Sequence, residues 1–166
     1  MKRARVLLGE DHLKMGEALG RILMGEFELV GIARDGLALI DAVAKLAPDI
    51  IVTDIYMPVL DGLEALAQLK AANPNIKVIL ITNHEDPTLA RFALEDAGAC
   101  GFVLKRCANE DLIQAVRAVL HGNTYISASL AAQIVSNSSS ISEASLSRGL
   151  GTHLTLDAPG DPKKHS

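Results

Sequence analysis

Short apolar runs alternate with longer stretches of helical periodicity along this chain. Each run is rich in β-branched residues or leucine, as expected of a buried strand. Between the runs, apolar residues recur at the three- and four-residue spacing of an amphipathic helix. The runs lie at about 4–9, 28–33, 49–54, 77–82 and 101–105. Strand followed by helix, repeated five times, predicts a parallel sheet with right-handed crossovers and helices on both faces.

The number of repeats indicates the topology. We expect an α/β fold with a five-stranded parallel sheet, closed as a doubly wound, flavodoxin-like (βα)5 unit with strand order 2-1-3-4-5. Ligands bind outside the carboxyl ends of such strands, and the switch point of this order lies between strands one and three. The fourth predicted helix has clear limits: Asp86 is its N-cap, Pro87 its first residue, and Gly98 its end.

Four of the predicted strands deliver a reactive polar group at their carboxyl ends. The first ends in Glu10 and Asp11, the third in Asp54, the fourth in Thr82 and the fifth in Lys105. All strands of a parallel sheet have their carboxyl ends at the same edge. We therefore expect these side chains to converge there.

Three carboxylates at one edge repel each other unless one is protonated or a cation binds among them. Hard oxygen donors favour Mg²⁺ or Mn²⁺, whereas zinc prefers His or Cys. A metal with open positions can accept phosphoryl oxygens, and Lys105 and Thr82 add a positive charge and a hydroxyl donor. Asp54 is then the predicted nucleophile, since a carboxylate can form an aspartyl phosphate.

These residues and their neighbours resemble the signature of the receiver domain of two-component response regulators. The resemblance covers about residues 4–123, and its motifs agree in order and in strand context. The motifs are Glu10-Asp11, Asp54-Ile-Tyr-Met-Pro-Val-Leu-Asp-Gly62, Thr82 and Lys105.

The resemblance implies a role for each acidic residue. Asp54 would accept a phosphoryl group from a sensor histidine kinase and become a 4-aspartylphosphate. Asp11, Asp54 and the Tyr56 carbonyl would bind Mg²⁺ directly, and Glu10 would hold a metal-bound water. Slow self-dephosphorylation is expected as well, but the role would be signalling rather than enzymatic turnover.

The resemblance also implies how the phosphorylated state is read. Thr82 and Lys105 would contact the phosphoryl oxygens. Phe102, three residues before Lys105, matches an aromatic switch position whose ring turns inward as the threonine moves toward the phosphate. The face formed by helix four, strand five and helix five would then change its partner, either a downstream protein or a second copy of the chain.

Further motifs resemble one branch of the family, the nitrate/nitrite and quorum-sensing transcription regulators. They are Gly9-Glu-Asp-His12, Asn83-His-Glu-Asp86 and Gly122-Asn-Thr-Tyr-Ile-Ser127. That branch carries a helix-turn-helix domain after its linker, and residues 127–166 contain no sequence signal for one. We therefore do not expect DNA binding by this chain, which would be either a receiver alone or a regulator truncated at its linker. Most receivers follow the lysine with a proline, whereas Arg106 stands here, so we expect a trans bond.

Composition changes after Tyr125. Nine of the twenty-one residues from Ser127 to Ser147 are serine. We therefore expect a receiver domain over 1–125 and a Ser-rich linker and tail over 126–166, largely disordered. One short helix is expected near 128–136, where Leu130-Ala-Ala-Gln-Ile-Val135 is apolar.

Composition excludes several other classes of protein. Although 49% of residues are hydrophobic, no apolar run approaches the ~18 residues that span a bilayer. Cys100 and Cys107 lack metal-site spacing and are expected to be free thiols of a cytoplasmic protein. The net charge of −4 argues against nucleic-acid binding.

Three other functions compete with this prediction. An aspartate-nucleophile phosphohydrolase needs an acid two residues after the nucleophile, and Tyr56 stands there. A flavin or nucleotide carrier needs a glycine-rich phosphate cradle after the first strand, where this chain has acids. A receiver-like scaffold that is never phosphorylated stays open at this point. We assign no metal role to His12 or His84.

Overall fold

The computed structural model describes residues 2–141 of the 166-residue chain. Six parallel strands form one sheet in the order 2-1-3-4-5-6. The strands are β1 (Arg5–Gly9), β2 (Glu28–Ala33), β3 (Ile50–Asp54), β4 (Val78–Thr82), β5 (Gly101–Leu104) and β6 (Tyr125–Ile126). The helices are α1 (Leu13–Met24), α2 (Gly36–Leu46), α3 (Gly62–Ala72), α4 (Pro87–Arg91), α5 (Ala108–Leu120) and α6 (Ala128–Ile141).

The doubly wound α/β fold and the order 2-1-3-4-5 are confirmed, but the predicted count of five strands is wrong. A sixth strand, β6, pairs with the outer edge of β5. The Tyr125 N–H donates to the Cys100 carbonyl at 3.1 Å, and the Ser127 N–H donates to the Phe102 carbonyl at 3.1 Å. A strand of two residues is too short to show the two-residue alternation on which strand prediction depends.

The core consists of one apolar layer on each face of the sheet. Along β1, Leu7 faces one layer, while Val6 and Leu8 face the other. The first layer is covered by α2, α3, α4 and α6, and the second by α1 and α5. Strands β3 and β4 are buried at every position, as expected of central strands with helices on both sides.

Helix α4 begins as predicted but changes its winding before its end. The Asp86 side chain accepts from the Leu89 N–H, and Pro87 occupies the first position. After Arg91 the chain continues as a π-helical turn, Phe92–Asp96. Gly98 then follows with φ of +89°, a conformation that favours glycine.

Helix α6 includes the segment 128–136, where a short helix is expected, and extends to Ile141. Its Leu130 and Ile134 side chains are buried in the layer that also contains Ala90 of α4. Residues 142–166, the rest of the expected tail, lie outside the described residues. Within residues 2–141, no helix has both the length and the apolar character needed to cross a membrane.

Candidate active site at the carboxyl edge of the sheet

Asp54 ends the central strand β3 and is almost fully buried. Its Oδ2 accepts a hydrogen bond from Lys105 Nζ at 2.8 Å, and its Oδ1 accepts one from the Tyr56 N–H at 3.3 Å. Gly62 packs against the same strand end, where an added Cβ would lie 2.2 Å from the Asp54 carbonyl oxygen. Only glycine fits there, so the turn after Asp54 is held tightly against the strand.

Lys105 links two buried carboxylates. It follows β5 as the first residue of a 3-10 turn, Lys105–Cys107. Its Nζ lies 2.8 Å from Asp54 Oδ2 and 2.8 Å from Glu10 Oε1. The side chains of Glu10, Asp54 and Lys105 are each buried, so this ammonium group balances charge in a site with little water. The structure thus brings together side chains from the ends of β1, β3 and β5.

Asp11 lies beside this triad, next to His12. His12 Nδ1 is 3.3 Å from both Asp11 Oδ1 and Glu10 Oε2. Asp11 Oδ1 is buried, and no group in residues 2–141 forms a hydrogen bond with it. The sequence predicts no metal role for His12, yet one ligand atom each from Glu10, Asp11 and His12 lie within 4.8 Å of one another. The only sequence feature that could have indicated this group is that the three residues are consecutive.

Thr82 and Tyr56 occupy neighbouring positions at the same edge. Thr82 is fully buried at the end of β4, and its Oγ1 accepts a hydrogen bond from the His84 N–H at 3.1 Å. The Tyr56 side chain is half exposed, and its ring meets the His84 imidazole edge-on at 4.7 Å between centroids. Tyr56 and His84 are therefore in contact with each other on the exposed side of this edge.

Phe102 is the second residue of β5 and is fully buried. It belongs to the apolar layer under α3, α4 and α6. Its position three residues before Lys105 matches the predicted switch position, and its ring points inward. The switch role itself stays a prediction.

Burial and charge act in opposite directions on the pKa values of the central pair. Burial raises the pKa of Asp54 above its usual value, and the Lys105 hydrogen bond offsets part of that rise. Burial alone would lower the pKa of Lys105, but hydrogen bonds and charge from Asp54 and Glu10 outweigh it, so that pKa is raised. Lys105 therefore stays charged, and the carboxylates still outnumber the cations at this edge.

The donor set fits a hard divalent cation. Glu10, Asp11 and Asp54 supply carboxylate oxygens, and the buried Asp11 Oδ1 has no hydrogen-bond donor among the described residues. A buried carboxylate oxygen that accepts no hydrogen bond costs free energy, which a bound cation lowers. Oxygen donors in this number suit Mg²⁺ or Mn²⁺.

Two backbone features lie near the site, a trans peptide bond after Lys105 and a positive φ at Val59. Every peptide bond in the described part of the chain is trans, which confirms the expectation for Lys105–Arg106. Val59, in the loop after Asp54, has φ of 72°, an unfavourable conformation for a β-branched residue. Nothing in its residue type could have indicated that strain, which is characteristic of functional loops.

Comparisons with known proteins agree with this geometry. The model of the response regulator receiver domain matches residues 6–117. The transcriptional regulatory protein DegU of Brevibacillus brevis is 35% identical over 75% of this chain and 53% of its own length. The response regulator GacA of Pseudomonas aeruginosa is 35% identical over 78% of this chain and 61% of its own length. The chain belongs to the response regulator receiver domain family.

A solved structure supports the same assignment. The two-component response regulator of the LuxR family from Aurantimonas sp. SI85-9A1 has a TM-score of 0.79 and 27% identity, and the match covers 82% of this chain and 99% of that one. The expected receiver fold and family branch are therefore confirmed, and the relatives do not support the phosphohydrolase or scaffold alternatives. The chain spans 53% and 61% of the lengths of the two curated relatives.

Proposed function

We propose that Asp54 accepts a phosphoryl group from a sensor histidine kinase and thereby switches a protein-interaction surface. The observation that carries this proposal is the position of Lys105 Nζ, 2.8 Å from both Asp54 Oδ2 and Glu10 Oε1. A cation held there in a dry site can stabilise negative charge that arrives on phosphoryl oxygens. Asp54 is the acceptor because it ends the central strand and bonds to that cation directly.

The transfer moves a phosphoryl group from nitrogen to oxygen. An oxygen of the Asp54 carboxylate attacks phosphorus, the P–N bond to the donor histidine breaks, and its electron pair stays on the ring nitrogen. The Lys105 ammonium group then exchanges its contact with the Asp54 carboxylate for one with the phosphoryl oxygens. The Thr82 hydroxyl, at the end of the neighbouring strand, donates to one of those oxygens.

Asp11, Asp54 and the Tyr56 carbonyl would hold Mg²⁺ or Mn²⁺, with Glu10 acting through a bound water. The ion would supply the positive charge that lets phosphoryl oxygens approach three carboxylates. Glu10 and Asp54 are already oriented by Lys105, and Asp11 offers a buried oxygen that accepts no hydrogen bond from the described residues. Glu10 and Asp11 therefore lie close together before any ion binds.

Intact-mass measurement with a small phosphodonor, such as acetyl phosphate, and Mg²⁺ tests this proposal. We expect one phosphoryl group on the parent and none on Asp54→Asn. The matched control is Asp41→Asn, which alters an exposed aspartate paired with Lys45 on α2. Equal uptake by Asp54→Asn and the parent would refute the proposal, and steady turnover of a phosphomonoester would indicate a phosphohydrolase instead.

Slow self-dephosphorylation and a cytoplasmic location belong to the same proposal. Water must reach the phosphoryl group past the half-exposed Tyr56, which supports a slow loss. Two free thiols, Cys100 and Cys107, suit a reducing compartment. The named relatives are transcriptional and response regulators longer than this chain, so control of transcription is proposed only for a protein in which a DNA-binding segment joins this domain.

A further inference from the structure

Residues 125–137 cover part of the face that the proposed output would use. The short strand β6 pairs with the outer edge of β5, and α6 packs against α4. Leu130 and Ile134 are buried in the same layer as Ala90 and Ala93 of the fourth helical segment. A partner that binds the face of α4, β5 and α5 therefore meets α6 of the same chain first.

A group of polar contacts fastens α6 to two loops. Gln133 Nε2 donates to Glu85 Oε2 at 2.5 Å, and Arg106 donates to Glu85 Oε1 at 2.7 Å. Arg106 also donates to Ser129 Oγ at 3.5 Å. A hydrogen bond from Ser129, with further contributions from Arg106 and Gln133, holds the pKa of Glu85 below its usual value. We name Glu85, Arg106, Ser129 and Gln133 the α6 latch.

The two loops that carry the α6 latch also carry the groups that would read the phosphoryl state. Glu85 stands three residues after Thr82, and Thr82 Oγ1 accepts from the His84 N–H inside that loop. Arg106 directly follows Lys105, whose ammonium group is held by Asp54 and Glu10. Two members of the α6 latch, Glu85 and Arg106, therefore lie within one to three residues of Thr82 and Lys105.

We propose that α6 is a releasable cover, seated by the α6 latch in the unphosphorylated form and loosened when Asp54 is phosphorylated. This inference rests on the proposed function. Lys105 moves from Glu10 toward the phosphoryl oxygens and draws Arg106 with it. Thr82 turns toward the same oxygens and gives up its contact with the His84 N–H, which shifts Glu85. Hydrogen bonds of 2.5–2.7 Å do not survive a displacement of about 1 Å.

Amide hydrogen exchange followed by mass spectrometry tests the proposal on the full chain. With Mg²⁺ and beryllofluoride, a phosphoryl mimic, peptides from residues 128–137 should exchange at least about threefold faster than with Mg²⁺ alone. Peptides from β1 and β3 should not exchange faster. Exchange in α6 that is unchanged or slower would overturn the proposal.

Fluorine NMR on the same samples separates this inference from the proposed function. A bound-beryllofluoride signal in the parent that is lost in Asp54→Asn shows that the mimic occupies the acceptor site. If that signal appears while α6 exchange stays constant, the releasable cover is refuted and the acceptor role stands. If the parent shows no such signal, the proposed function fails and this inference fails with it.

Gln133→Ala tests the coupling from the side of α6. Gln133 lies on α6 and is outside the acceptor site, so the variant should speed α6 exchange without any mimic. Because coupling is reciprocal, it should also bind beryllofluoride about two- to fivefold more tightly. Arg106→Ala should act in the same direction, and the control Lys45→Ala, which breaks an exposed ion pair with Asp41, should do neither. Faster α6 exchange with unchanged affinity would contradict the coupling.

Discussion

The carboxyl edge of the sheet differs from the seat of α6, the surface against which Leu130 and Ile134 pack, in which groups are buried. At the edge, charged groups are buried, and Glu10, Asp54 and Lys105 are positioned by the ends of strands in the middle of the sheet. At the seat of α6, apolar side chains are buried and charged groups lie outside, with Arg106 54% and Glu85 29% exposed. Buried charges without full pairing cost free energy, whereas exposed polar contacts contribute little net stability.

This difference indicates which of the two regions can be displaced at a low cost in free energy. The edge holds unfavourable groups in place because the strands around it cannot relax, and such preorganisation suits capture of an ion and a phosphoryl group. The seat of α6 gains a modest free energy from two buried side chains and a few exposed contacts. A small shift at the edge can therefore exceed the free energy that holds α6 in place.

The largest expected effect is a difference in the free energy of unfolding between two leucine-to-alanine variants, one in the fold's core helix α3 and one in α6. Leu66 of α3 and Leu130 of α6 are both fully buried in the same layer. Leu66→Ala should lower the free energy of unfolding by about 2–5 kcal/mol, as for other core leucines. Leu130→Ala should lower it less, because α6 can leave its seat while the sheet stays folded. Urea unfolding followed by circular dichroism measures both.

An equal loss in the two leucine variants would contradict the comparison, because it would make α6 as integral to the fold as α3. Hydrogen exchange supplies the control: Leu130→Ala should expose the amides of α6 and leave those of β3 protected, whereas Leu66→Ala should weaken protection throughout.

Magnesium should stabilise the edge through Asp11. At roughly a hundred times its dissociation constant, a ligand adds about 2.7 kcal/mol to the free energy of unfolding. Asp11→Asn should lose most of that gain, and without the ion it should be more stable than the parent, because one of three repelling carboxylates is gone. Thermal unfolding with and without Mg²⁺ measures the effect. Asp41→Asn is the control, and a gain in Asp11→Asn equal to that of the parent would exclude Asp11 as a ligand.

Tyr125 reports on a polar contact with α5, on the face of the sheet opposite to α6. Burial, together with a hydrogen bond to Asp111, raises its pKa to about 12 from the usual 10.0. The folded state therefore favours the protonated phenol, so its contribution to stability is present below pH 10.0 and is lost as the pH rises through about 12. Tyr56→Phe leaves Tyr125 as the single tyrosine, since the chain has two.

Absorbance of the tyrosinate form of Tyr56→Phe should then give a midpoint near pH 12, with circular dichroism at each pH to verify the fold. Asp111→Asn in the same background should move the midpoint downward, because a nearby negative charge is removed. A midpoint at the usual value in folded protein would show that Tyr125 is not held as described.

Much of the candidate site could be predicted because backbone periodicity determines which residues meet there. Once the strand-like runs are located, parallel pairing places the residues after each run at one edge, and Asp54, Glu10 and Lys105 meet there. The ion pair between Lys105 and Glu10 was not predicted, because it depends on a side-chain conformation rather than on register. The contact between His12 and Asp11 was not predicted for the same reason.

The C-terminal part could be predicted less well. The serine-rich composition after Ser127 indicates a linker, since serine favours turns and caps over helix interiors. Yet α6 extends to Ile141, because burial of Leu130 and Ile134 stabilises a helix that local propensity would not. Strand β6 was missed because its pairing depends on β5, which lies more than twenty residues away in the sequence. Long-range packing of this kind leaves no local pattern.

The strand β6 also bears on how molecules of this protein meet each other. An uncovered outermost strand presents unpaired N–H and C=O groups, which act as a template for strand addition by a neighbouring molecule. Here residues 125–127 occupy that template on β5 with backbone hydrogen bonds of their own. The edge that remains at this rim is β6 itself, and a strand of two residues offers a neighbouring molecule only a short template for extension of the sheet.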